Sequence, residues 1–158
     1  MIDRTTALGG YALTDYQPDT AGSRDSIRFS ATITKDGAPV ATVRNEGHGG
    51  CHIFDWDDPR QEAAFEAFAA AWNAERPMAG CWDGDQFVMH LCAIEEMNQL
   101  RGVCFVLDGD DFWGAGNFRS FDPAISRRVA LATLREGPMR KRHPRVWDRQ
   151  VGDFVALV

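Results

Sequence analysis

Ile27-Arg28-Phe29-Ser30-Ala31-Thr32-Ile33-Thr34-Lys35-Asp36-Gly37-Ala38-Pro39-Val40-Ala41-Thr42-Val43-Arg44 is the stretch that decides the fold class. Ile27, Phe29, Ala31 and Ile33 alternate with Arg28, Ser30, Thr32 and Thr34, a period of two that puts apolar side chains on one face of a strand. Asp36-Gly37 tolerates the positive φ angles of a tight hairpin turn, and Val40 to Arg44 returns as the partner strand. The segment therefore predicts an antiparallel hairpin with one apolar face that other elements must cover.

Downstream, Asp58 reads as a helix N-cap, with Pro59 at the first helical position and Gln61 completing a capping box. Phe65, Phe68 and Trp72 fall on one face of that helix, and Pro77 ends it. The pattern recurs at Asp83 with Gln86, opening a second helix to about Arg101 with Phe87, Leu91 and Ile94 on its apolar stripe. Gly102 stops it, and Val103 to Leu107 reads as a buried strand. Phe112 to Phe121 predicts another strand, Asp122-Pro123 a third helix, and Val146-Trp147 and Phe154 to Val158 edge strands. Strands and helices come in blocks without a βαβ rhythm. The expected class is α+β, a mostly antiparallel sheet of about five strands with about three helices packed on it. Residues 1–24 show no period beyond a short strand signal at Tyr11–Leu13. They are read as a loosely ordered arm, with residues 25–158 as one domain.

Composition sets limits on function. A chain of 158 residues can bury a core, and no apolar run approaches the roughly 18 residues that span a bilayer. Asp3 and Arg4 precede any apolar stretch, so the expectation is a cytoplasmic protein without a membrane partner. Cys51, Cys81, Cys92 and Cys104 are then expected as free thiols. Charge is unevenly spread. Arg119 to Arg149 holds nine basic and three acidic residues, a net of +6; the other 8 basic and 20 acidic residues make a net of −12. The basic segment has two readings, a separate surface or a partner for the acidic turns.

Asn45-Glu46-Gly47-His48-Gly49-Gly50-Cys51-His52 is the first candidate site, with His48, Gly49, Gly50 and His52 as binding residues. Its glycines permit close backbone approach, and successive amides in a turn can cradle an anion. A sharper alternative makes His48 or His52 an acid/base group and Cys51 a nucleophile. No Gly-Lys-Ser/Thr follows the loop, and a tight link between two strands explains the same glycines. Zinc ligation by His48, Cys51 and His52 with Cys81, His90, Cys92, Cys104 or His143 lacks a paired-cysteine spacing. The acidic clusters Asp55–Asp58, Asp83–Asp85 and Asp108–Asp111 already serve as caps and turns. No catalytic residue, metal or cofactor is assigned. The second candidate site is Arg140, Lys141 and Arg142, with Trp147 available to stack on a base. The sequence pI near 5.1 argues against general duplex binding.

Phe29 to Gly37 together with Thr42-Val43-Arg44-Asn45-Glu46-Gly47-His48-Gly49-Gly50 resembles a group of short phage and bacterial proteins of unknown function. These pair a hairpin with an Asn-x-Gly-x-Gly-Gly loop. The resemblance extends over Phe29 to Asp148, through the strand at Phe105 to the closing strand at Val146-Trp147. It implies a phage or mobile-element origin and action in the host cytoplasm, and carries over no activity or catalytic residue. The leading expectation is a non-enzymatic binding protein acting on a host protein, as an inhibitor of a defence system. The alternatives are a small enzyme or a nucleotide- or anion-binding protein using the Gly47–Cys51 loop, and a nucleic-acid accessory factor using the basic segment 140–149.

Overall fold

The hairpin forms as the alternation requires. The structure, a computed structural model, describes residues 8–74 and 82–157. Strand β2 (Arg28–Lys35) pairs antiparallel with β3 (Ala38–Asn45). The turn is made by Asp36 and Gly37 at φ 51° and 84°. Both lie in the left-handed region that matches the twist of a two-residue hairpin.

The chain divides into two compact units, one running up to Cys92 and the other carrying the chain from Ala93. In the first, the sheet order is β1-β2-β3-β4, with β1 at Tyr11–Asp19 and β4 at Ile53–Trp56. Tyr11 to Asp19, placed by the sequence reading inside a loosely ordered arm, is thus a nine-residue strand paired along β2. Phe29, Ala31 and Ile33 of β2 and Ala41 and Val43 of β3 are buried, facing helix α1 (Pro59–Asn73) and the first half of α2 (Asp83–Gln99). Asp58 caps α1 by accepting the Arg60 amide, with Pro59 at the first position. Phe65 is fully buried; Tyr11 and Trp56 each stand 5.1 Å from it by ring centroids, and Phe87 5.6 Å.

The second unit has its own four-stranded antiparallel sheet, in the order β6-β5-β7-β8. Its strands are β5 (Cys104–Val106), β6 (Arg119–Ser120), β7 (Arg145–Asp148) and β8 (Asp153–Ala156). Both faces are covered. Val103, Phe105, Leu107 and Val146 pack with Ala130 and Leu134 of α4 (Arg127–Glu136). On the opposite side Trp147, Phe154 and Phe112 cluster, with Phe112 and Phe154 ring centroids 5.1 Å apart.

The α+β class stands, as two antiparallel sheets of four strands in place of one of about five. Val146-Trp147 is internal to its sheet and not an edge. The expected strand Phe112 to Phe121 is a short helical turn, α3 (Phe112–Ala115), followed by the two-residue β6. The third long helix opens at Arg127 under a Ser126 cap, because Asp122 spends its carboxylate on the Ala124 amide in a turn of its own. Pro77, Cys81 and residues 1–7 lie outside the described residues. Among the described residues, no helix is long and apolar enough to cross a membrane.

Candidate functional site

At one end of the first unit, the β3–β4 loop meets the first turn of α2. Asp85, on that turn, joins them: one carboxylate oxygen accepts the His52 backbone N–H at 2.6 Å and lies 2.7 Å from the His52 ring Nδ1. Burial opposes ionisation of Asp85, but hydrogen bonds from the His52 ring and backbone, the His52 charge and the Cys51 thiol more than offset it, so its carboxyl sits below the ordinary aspartate range. The His52 ring is packed against Phe29 at 5.4 Å and Phe54 at 6.4 Å, and both partners of the pair are largely buried. A carboxylate that orients an imidazole through Nδ1 is the geometry that also prepares general bases. The neighbouring Cys51 thiol bonds the same carboxylate, and together these contacts latch the loop to the helix.

The glycine loop is spoken for internally. Asn45 Oδ1 accepts the Gly47 amide and the Ser26 hydroxyl, each at 2.8 Å, while its Nδ2 donates to the Gly50 carbonyl. The Gly49 amide donates to Ser26 Oγ. Two amides that an anion would need are therefore already bonded. Gly47 and Gly49 take φ of 82° and 79°; Gly50 does not share that conformation. His48, Gly49, Gly50 and Cys51 are exposed, so of the residues singled out in the loop only His52 is drawn inward. Among the described residues, no group of three or more His, Cys, Asp or Glu could hold a metal ion.

The first turn of α2 carries what the sequence reading overlooked. Its cap position is Trp82, whose carbonyl accepts the Gln86 amide, and not Asp83. Side chains from α1 complete the turn: Asn73 Nδ2 donates to the Asp83 carbonyl, and Glu66 accepts the Gly84 amide. Desolvation there pushes the Glu66 carboxyl up, and Asp83, Asp85 and Glu62 add to the shift. Trp82 itself is 74% exposed, and Met89, seven residues on and so on the same helical face, is 43% exposed. A tryptophan outside any apolar stripe was the available signal.

The basic segment is a 3-10 turn, Pro138–Arg142, ending at His143 in the left-handed conformation. Asp108 pins it: its carboxylate lies 2.6 Å from His143 Nδ1 and its carbonyl accepts Arg142 Nη2 at 2.7 Å. Nearby in sequence, the Arg119 guanidinium grips Asp110 through two bonds and holds its carboxyl down at about 2. Basic residues here lie against acidic turns, while Arg140 and Lys141 stay exposed. Trp147 does not serve the expected stacking role, being 4% exposed with its indole Nε1 donating to Asn98.

Comparison with known proteins adds no relative: no protein-family model, no curated protein and no solved structure matches the chain.

Proposed function

We propose that the chain is a non-enzymatic binding protein whose first unit docks on a basic protein surface, with Trp82 as the anchor. The observation that carries this is the 74% exposure of Trp82, on a turn held by Asp85, Glu66 and Asn73. An exposed indole is among the side chains most enriched at energetic centres of protein interfaces. Residues 5–92 carry 6 basic and 13 acidic residues, a net of −7, so the complementary partner surface is basic around an apolar pocket. The phage or mobile-element origin implied by the resemblance over the hairpin and loop makes a host protein the partner, with a defence component as its class.

Affinity capture from a bacterial host lysate tests this, using tagged wild type, Trp82→Ala and His48→Ala. A specific partner retained by the histidine variant and lost with Trp82→Ala is the expected result. A cellular effect lost with His48→Ala, at unchanged melting temperature, would overturn it in favour of chemistry in the loop.

A further inference from the structure

The second unit contains a cleft of about 580 Å³ between the end of α2, the N-terminus of α4 and the turn after β7. That volume lies within the range of small-molecule sites. Three arginines, Arg101, Arg127 and Arg149, line it together with one acid, Asp148. Asp148 is already engaged, its Oδ1 accepting the amides of Gln150 and Val151. Arg149 is fixed by donating to the carbonyls of Met97 and Leu100 at the end of α2. Arg101 and Arg127 are exposed, and among the described residues neither has a hydrogen-bond or ion-pair partner. Arg127 also opens α4, a ten-residue helix whose first-turn amides and dipole favour an anion at that end. Ile125, Val103 and Leu100 give the cleft an apolar patch beside the polar Gln99 and Gln150.

We propose that this cleft binds a small phosphomonoester, the phosphate held by Arg101 and Arg127 and the organic body lying on the apolar patch. Guanidinium forks match phosphate oxygens in pairs, and two without protein partners have no competing bond to break. The excess of positive charge in the cleft suits a dianion. A concave site of this size takes a single molecule, whereas a nucleic-acid strand is tracked by an extended groove.

Isothermal titration of the full chain with adenosine 5′-monophosphate, inorganic phosphate and adenosine tests the proposal. The expected result is saturable binding of the monophosphate, weaker binding of phosphate and none of adenosine. Arg101→Ala and Arg127→Ala should each weaken the monophosphate about tenfold or more, the scale of one charge-assisted contact. Arg128→Ala, next in sequence but on a different face of α4, should leave affinity unchanged. Thermal unfolding of each variant checks its fold, with Arg101→Gln and Arg127→Gln as replacements if an alanine variant loses it. Absence of saturable binding by monophosphate and phosphate would overturn the proposal, as would an equal loss in Arg128→Ala. Binding of a single-stranded oligonucleotide without the mononucleotide would overturn it too, making these arginines a strand-binding face.

Discussion

Asp85 receives the His52 backbone, the His52 ring and the Cys51 thiol, so its charge is stabilised only in the folded chain. Asp85→Ala should cost about 1.5–3 kcal/mol at neutral pH, the range for hydrogen bonds to a charged group. The sign of the pH dependence follows from the lowered pKa. The contribution is complete above the unfolded value of about 3.9 and is lost as pH falls through the folded value. Urea midpoints of wild type and variant should therefore converge in acid; a constant gap from pH 7 to pH 2 would exclude the latch. Two glycines a few residues upstream make a second contrast. Gly47 has φ 82°, and a Cβ there would stand 2.8 Å from the Gly22 carbonyl oxygen. Gly50 has an ordinary φ and open space around it. Gly47→Ala should lose at least about 1–2 kcal/mol from the left-handed backbone alone, and Gly50→Ala should be close to neutral. Thermal denaturation of the pair separates architecture from exposure within a single loop.

Among the elements, α1 puts Phe65, Ala69 and Asn73 on its buried face, and Phe68 only half in. Phe65→Ala should cost about 3–5 kcal/mol and Phe68→Ala less, since the cavity left at Phe65 is closed by aromatic rings on several sides. Equal denaturation midpoints for the two would contradict that packing. The hairpin and the start of α1 were legible because their signals are local: alternation, Asp36-Gly37, and Asp58-Pro59. β1 was not. Tyr11 and Leu13 keep the alternation, but Asp15 at φ 52° sits in a register shift between Thr14 and Gln17. The next inward aromatic is then Tyr16, three residues after Leu13, and a period-two search loses the strand there. The second sheet was legible strand by strand, since β5, β7 and β8 fall on segments read as strands, but not as a separate sheet, and β6 keeps only two residues of the strand read over Phe112 to Phe121. At the candidate sites, His52 was legible as a residue, yet Asp85 lies 33 positions away and reads locally as a helix-start acid. Trp147 misled because a tryptophan beside arginines looks the same in sequence whether it faces a ligand or the core.

For the whole molecule, charge is divided along the same line as structure. Residues 5–92 carry the net of −7, while residues 93–158, with 10 basic and 9 acidic, carry +1. The +6 segment from Arg119 to Arg149 is therefore nearly balanced within its own unit, by acids such as Asp108 and Asp110 that it binds directly. The acidic unit has no such internal balance, and under the proposed function its charge and its tryptophan should govern different steps of binding. Long-range charge steers the encounter, so it acts on the association rate and is screened within about 8–10 Å at ordinary salt. Trp82 acts only after contact, by filling a pocket, so its loss should appear as faster dissociation. With the captured partner on a biosensor, raising NaCl from 50 to 500 mM should slow association by about tenfold or more and leave dissociation nearly unchanged. Trp82→Ala should do the reverse, raising the dissociation rate while keeping the salt slope of association. Association insensitive to salt would mean that the acidic surface takes no part in recognition. A Trp82→Ala variant with unaltered dissociation would move the anchor elsewhere on the unit.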